Sequence, residues 1–161
     1  MKQDTVQRLV EDFAARGWTV ATAESLTAGL LAAAITEIPG SSAVLRGGIV
    51  CYATDLKSTL VGVDADLLAR VGPVDPTVAA QLAAGARLRC GADVGIALTG
   101  VAGPDPQSGH RPGTVYVARS GLGREVCQRL ALTDPPGTRG QVRAAAVRCA
   151  IALLQDLMEQ G

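Results

Sequence analysis

The order of segments in this 161-residue chain leaves few packings open. Val6, Leu9, Val10, Phe13 and Ala14 repeat at helical spacing, and Gly17 follows where a helix cap belongs. "WTVAT" then reads as a short buried strand. From about Ser25 or Thr27 a second helix is expected to run to Glu37, ended by Pro39 and Gly40. "AVLRGGIVCYA" has strand character, and its Gly47-Gly48 pair predicts a bulge or a close backbone approach. Short helical turns follow at "TDLKSTLVG" and "DADLLARVG", then a longer helix capped by Asp75 with Pro76 at its first position, ending near Cys90-Gly91. "DVGIALTG" is a continuous apolar strand, and "VAGPDPQSGHRPG" is too rich in Gly and Pro for regular structure. "TVYVARS" and "REVCQRLAL" predict a hairpin, and a last helix begins near Thr138. Helices interleaved with about five strands call for an α/β fold: a three-layer α/β/α sandwich on a mixed, mostly parallel sheet. The length suits one domain over residues 1–161, with no linker or repeat.

Charge narrows the function classes. Fifteen basic and fifteen acidic side chains cancel, so no overall field draws the chain to a nucleic acid or an anionic membrane. No run approaches the ~20 apolar residues of a membrane span, and the charged start is unlike a signal peptide, so the cytoplasm is the expected compartment. Cys51, Cys90, Cys127 and Cys149 are widely spaced, which supports neither zinc nor a redox pair, and reduced buried thiols are expected. The composition favours Ala, Gly, Val and Leu over aromatics, so helices should pack by close approach.

Four groups of residues carry candidate chemistry. Thr22, Glu24, Ser25 and Thr27 lie where a strand becomes a helix; their hydroxyls serve either as plain caps or as a cradle for an anion at the helix start. Ser41 and Ser42 follow Gly40 in a turn, with Tyr52 and Lys57 beyond. That pattern is either a turn and a solvated lysine, or a serine nucleophile served by a lysine whose burial lowers its pKa. His110 is the only histidine and sits in the Gly/Pro loop, so acyl chemistry here would rest on Ser and Lys rather than on a Ser-His-Asp triad. "LTGVAGPD" places Thr99 at a strand end, where ligands gather in open α/β sheets, with Gly100 and Gly103 allowing close approach. Arg139 and Arg143 open the last helix against its dipole, which suits either a phosphate ligand or a surface salt bridge.

In order and spacing, "TAESLTAG", "TEIPGSSAVLRGGIVCYATDLK", "GPVDP", "LTGVAGPD", "PGTVYVA" and "TRGQVR" resemble the CinA C-terminal-domain family, the nicotinamide-nucleotide amidases. The resemblance implies hydrolysis of nicotinamide mononucleotide to nicotinate mononucleotide and ammonia in pyridine-nucleotide salvage, without cofactor or metal. It places the active serine on Ser42, with Tyr52 and Lys57 as its catalytic partners. Ser25, Thr27, Thr99, Gly100 and Arg139 are then substrate-binding, Arg139 competing with the Ser25/Thr27 helix start for the phosphate. Whether Ser42 or a water attacks stays open, as does whether Gly47-Gly48 or Gly100 to Gly103 supplies an oxyanion hole. The expected partner is a small nucleotide, with no direct nucleic acid, and the small-residue helices and the resemblance favour a homodimer. Leu26 and Ala28 stand where Cys and Gly are frequent, and Asp75 replaces a frequent Ser. A non-enzymatic accessory acting by protein contact, and an amidase for another small amide, are the rival readings.

Overall fold

The computed structural model describes residues 3–134 and 136–159. Its elements alternate as α1 (Gln3–Arg16), β1 (Val20–Glu24), α2 (Leu30–Thr36), a 3-10 turn at Ser41–Ala43, β2 (Leu45–Val50), α3 (Thr54–Thr59), α4 (Ala65–Val71), α5 (Pro76–Cys90), β3 (Val94–Gly100), β4 (Val115–Gly121), β5 (Val126–Arg129) and α6 (Arg139–Glu159). One sheet carries all five strands in the order β2-β1-β3-β4-β5. β1 pairs in parallel with β2 and β3, while β3-β4 and β4-β5 are antiparallel. Because β5 therefore runs with β3, all strands except β4 point the same way.

Helices cover both faces. On one side α1, α2 and α6 bury Phe13, Leu31, Ile35, Ile151 and Leu154 against Val20, Ile96, Leu98 and Val117. On the other, α5 lays Val78, Leu82, Ala83 and Ala86 on a sheet face made of Ala21, Ala23, Ala97 and Ala118. Small side chains bring that helix close: a Cβ added at Gly95 would stand 1.9 Å from the Ala83 carbonyl oxygen. This is the three-layer α/β/α arrangement the segment order predicts.

Most helix ends follow local chemistry. Asp75 accepts from the N–H groups of Thr77 and Val78 at 2.7 and 3.3 Å, and Gly91 closes α5 in the left-handed region. Thr138 and Gln141 form a reciprocal capping box before α6, at 2.7 and 3.3 Å. The Gly47-Gly48 expectation holds in both forms: the β1-β2 register skips Arg46, and a Cβ on Gly48 would lie 2.8 Å from Thr22 Oγ1.

Two expectations need correction. The helix expected from Ser25 or Thr27 begins only at Leu30, because Ala28 and Gly29 take φ values of 50° and 96° and turn the chain left-handed first. Of the four free cysteines only Cys51 is fully buried, and Cys127 is exposed at the β5 edge.

Candidate active site

Parallel strands deliver their carboxyl ends to one edge of the sheet, and ligands collect there. Ser25 leaves β1 at that edge, Cys51 to Lys57 leave β2, and Thr99 with Gly100 ends β3. A narrow cavity of about 40 Å³ opens between them, lined among others by Ser25, Leu26, Lys57, Thr99, Gln107 and Arg139. Past Gln107 and Arg139 lies a wider depression of about 340 Å³. A larger, mainly apolar one of about 610 Å³ adjoins it along Gly103, Pro104 and Pro112.

Lys57 is the floor of the narrow cavity and only 1% exposed. Its Nζ lies 3.1 Å from Ser25 Oγ and donates to the carbonyls of Cys51 at 2.8 Å and Tyr52 at 3.3 Å. Burial pushes its pKa below the ordinary lysine value, opposed in part by Cys51 and Asp55. The Cys51 thiol goes up, chiefly by burial.

The Ser25 N–H donates to the Leu98 carbonyl at 3.0 Å, and its carbonyl accepts from the Ala28 N–H at 3.1 Å. Glu24, 1% exposed, turns its carboxylate back onto the start of α2 and accepts from Gly29 N at 3.0 Å, Leu31 N at 3.1 Å and Ala32 N at 2.9 Å, with the Thr22 hydroxyl at 3.1 Å. Hydrogen bonds from backbone N–H groups and the positive helix end are what a buried carboxylate requires. The same contacts correct the expected phosphate cradle at Ser25 and Thr27, since the protein's own carboxylate already fills that helix start. Thr27 is buried, does not line the cavity, and leaves its hydroxyl without a hydrogen-bond partner among the described residues.

Ser42 is not brought to Lys57. It sits exposed in the turn before β2, whereas Tyr52 and Lys57 follow that strand's other end, so roughly the 20 Å length of a six-residue strand separates them. The sequence orders Gly-Ser-Ser, tyrosine and lysine along the chain, but the intervening strand carries the two parts to opposite edges of the sheet. Gly47 and Gly48 lie within that strand, which removes them from the oxyanion role as well.

The remaining candidates fall at the cavity with changed duties. Tyr52 is 57% exposed; its carbonyl accepts from Lys57 while its hydroxyl accepts from Arg139 Nη2 at 3.1 Å, and among the described residues that hydroxyl makes no hydrogen bond to Ser25 or Lys57. Arg139 also donates through Nη1 to the Gly103 carbonyl at 2.7 Å. Thr99 spends its hydroxyl proton on the Pro73 carbonyl at 2.6 Å, fastening the wall formed by Pro73 and Val74 rather than reaching outward. Gly100 lines the cavity, yet a Cβ there would collide with Thr114 O at 2.5 Å, so the glycine serves the close approach of β4. Among the described residues no group of three or more His, Cys, Asp or Glu gathers to hold a metal ion. No helix among them is long and apolar enough to cross a membrane.

Residues 2–158 match the CinA C-terminal domain. The chain belongs to the CinA C-terminal domain family. A CinA-like protein of Frankia casuarinae is 46% identical over 143 residues, covering 89% of this chain and 32% of its own. The chain thus spans about a third of the length of the curated relatives it matches. The CinA fold is also seen in a competence/damage inducible protein CihA from Agrobacterium tumefaciens, at TM-score 0.91 and 37% identity over 96% of this chain and 94% of that one. A CinA superfamily protein from Klebsiella pneumoniae superposes at TM-score 0.92 with 32% identity, over 100% and 99% of the two chains.

Sequence reasoning missed the role of Glu24 and the place of Gln107 in the cavity wall. Glu24 was one of a polar group, but the signal for its role was available: a carboxylate ending an apolar strand before a helix has nowhere to go but onto that helix's N–H groups. Gln107 lies in the Gly/Pro loop and had no such signal.

Proposed function

We propose that the protein hydrolyses a carboxamide, with Ser25 as nucleophile and Lys57 as its base, and that the substrate is nicotinamide mononucleotide. The reading rests on one observation, a buried amine 3.1 Å from a hydroxyl within a cavity at the sheet's carboxyl edge. Deprotonated, Lys57 donates its N–H bonds to the Cys51 and Tyr52 carbonyls and turns its lone pair to the Ser25 hydroxyl. Ser25 Oγ attacks the carboxamide carbon as its proton passes to Lys57. The tetrahedral intermediate collapses, Lys57 returns the proton to the departing nitrogen, and ammonia leaves. Water, deprotonated by the same lysine, then cleaves the acyl ester to the acid and restores Ser25. The narrow cavity of about 40 Å³ has room for the carboxamide group, and the wider depression past Arg139 receives the ring and the sugar phosphate. Arg139 uses only part of its five-donor fork on Gly103 and Tyr52, leaving N–H groups for the phosphate.

Ammonia release from nicotinamide mononucleotide, with nicotinamide, NAD and glutamine as comparators, tests this reading. Ser25→Ala and Lys57→Ala should each lower kcat by at least about 10³-fold. Ser42→Ala should stay within about two-fold of wild type, as a surface change far from a site does. A large loss in Ser42→Ala with Ser25→Ala active would refute the assignment, and no turnover of any amide would favour an accessory role through protein contact.

A further inference from the structure

We infer that Arg143 is a positioning residue that holds the loop after Ser25 so that its free backbone N–H groups meet the oxyanion; the inference rests on the Ser25 reading above. Arg143 reaches from the second turn of α6 across 117 positions of sequence. Its Nε donates to the Leu26 carbonyl at 2.9 Å, and its Nη2 to the Thr27 carbonyl at 3.0 Å. The Ser25 carbonyl is engaged separately, by the Ala28 N–H at 3.1 Å. Three successive carbonyls are therefore tied down. The N–H groups of Leu26 and Thr27 have no acceptor among the described residues, although both residues are buried.

In a trans peptide the N–H points away from the C=O of the residue before it, so the Ala28 contact on the Ser25 carbonyl turns the Leu26 N–H to the other side, and the Arg143 contact on the Leu26 carbonyl does the same for the Thr27 N–H. Leu26 lines the same cavity as Ser25. Unpaired donors beside a nucleophile supply what a tetrahedral oxyanion needs, and buried donors otherwise demand a partner. The loop does not hold this shape by itself, because Ala28 sits at φ 50°, a conformation an L side chain resists. Glu24 fixes the far side of that strained turn through Gly29, and Arg143 fixes the near side. One rigid guanidinium fork suits two adjacent carbonyls, which a point-charge ammonium matches less well.

The experiment compares Arg143→Ala and Arg143→Lys with wild type in three readouts: steady-state amide hydrolysis, thermal unfolding, and the rate at which a fluorophosphonate labels Ser25. Arg143→Ala should lower kcat by ~10²-fold, the scale of one lost oxyanion donor, with KM within about three-fold. Labelling should slow in parallel, free guanidinium should restore part of both, and Arg143→Lys should fall between. Should Arg143→Ala not fold, the lysine variant alone must still show the kcat loss without a KM change. Wild-type kcat and labelling in a folded variant, or a loss confined to KM, overturns the proposal. Labelling without turnover of any amide overturns the substrate reading alone, and the Arg143 effect is then read from labelling. No labelling of wild-type Ser25 together with no turnover overturns both.

Discussion

At the scale of single residues, the site is a matter of who has already spent which hydrogen bond. Thr99, Tyr52 and Glu24 all carry groups that could face a substrate, and all commit them to the protein. Among the described residues Lys57 alone combines deep burial with a neighbouring hydroxyl and no carboxylate in contact. Desolvation favours its neutral form, so the base should become available below the pH at which free lysine loses its proton. The sign follows directly: kcat/KM should rise with pH through the Lys57 pKa and level off above it, since only the deprotonated amine accepts the serine proton. The midpoint of that limb should fall clearly below the ordinary lysine value in a pH-rate profile. A midpoint at or above that value would mean that burial does not tune this amine.

At the scale of elements, the β1-α2 connection is where local preference and tertiary demand conflict. Leu26 and Ala28 are good helix formers, yet the helix waits until Leu30 because the turn must swing Ser25 into the cavity and place α2 over the Glu24 carboxylate. Ala28 bears the cost in a left-handed conformation that is unfavourable by ~1–2 kcal/mol for a residue with a Cβ. Ala28 is exposed, so Ala28→Gly removes no core contact. It should raise stability by about 1 kcal/mol and Tm by roughly 2–4 °C, a shift scanning calorimetry resolves. An unchanged or lower Tm would show that the surroundings, rather than glycine's freedom, set the energy of that turn.

At the scale of the whole molecule, the sheet acts as a jig. Three parallel strand ends bring Ser25, the Cys51–Lys57 segment and Thr99 together, and α6 returns from the far end of the chain to add Arg139 and Arg143. That registration depends on α5 lying close to the sheet, which the alanine face and Gly95 permit. In Gly95→Ala the new methyl would stand 1.9 Å from Ala83 O and 2.9 Å from Arg87 N, both backbone atoms that cannot swing aside. The variant should lose about 3 kcal/mol, by the cost of overpacking a tight interior, and melt roughly 6–12 °C lower. A melting point within about 2 °C of wild type would mean that α5 can lift without consequence.

Sequence patterns alone determined the alternation of elements, the α5 and α6 boundaries and the mixed sheet, because caps, periodicity and glycine punctuation act over a few residues. They could not tell which serine the lysine meets. Ser42 is nearer to Lys57 along the chain than Ser25 is, and it stands in the more suggestive turn. Six residues of β2 carry Ser42 to the opposite edge, while parallel pairing of β1 with β2 returns Ser25 to within 3.1 Å of the amine. Arg143 reaches its two carbonyls through the same long-range closure. Contacts between residues 32 and 117 positions apart are set by strand order and layer packing, and no local preference encodes them.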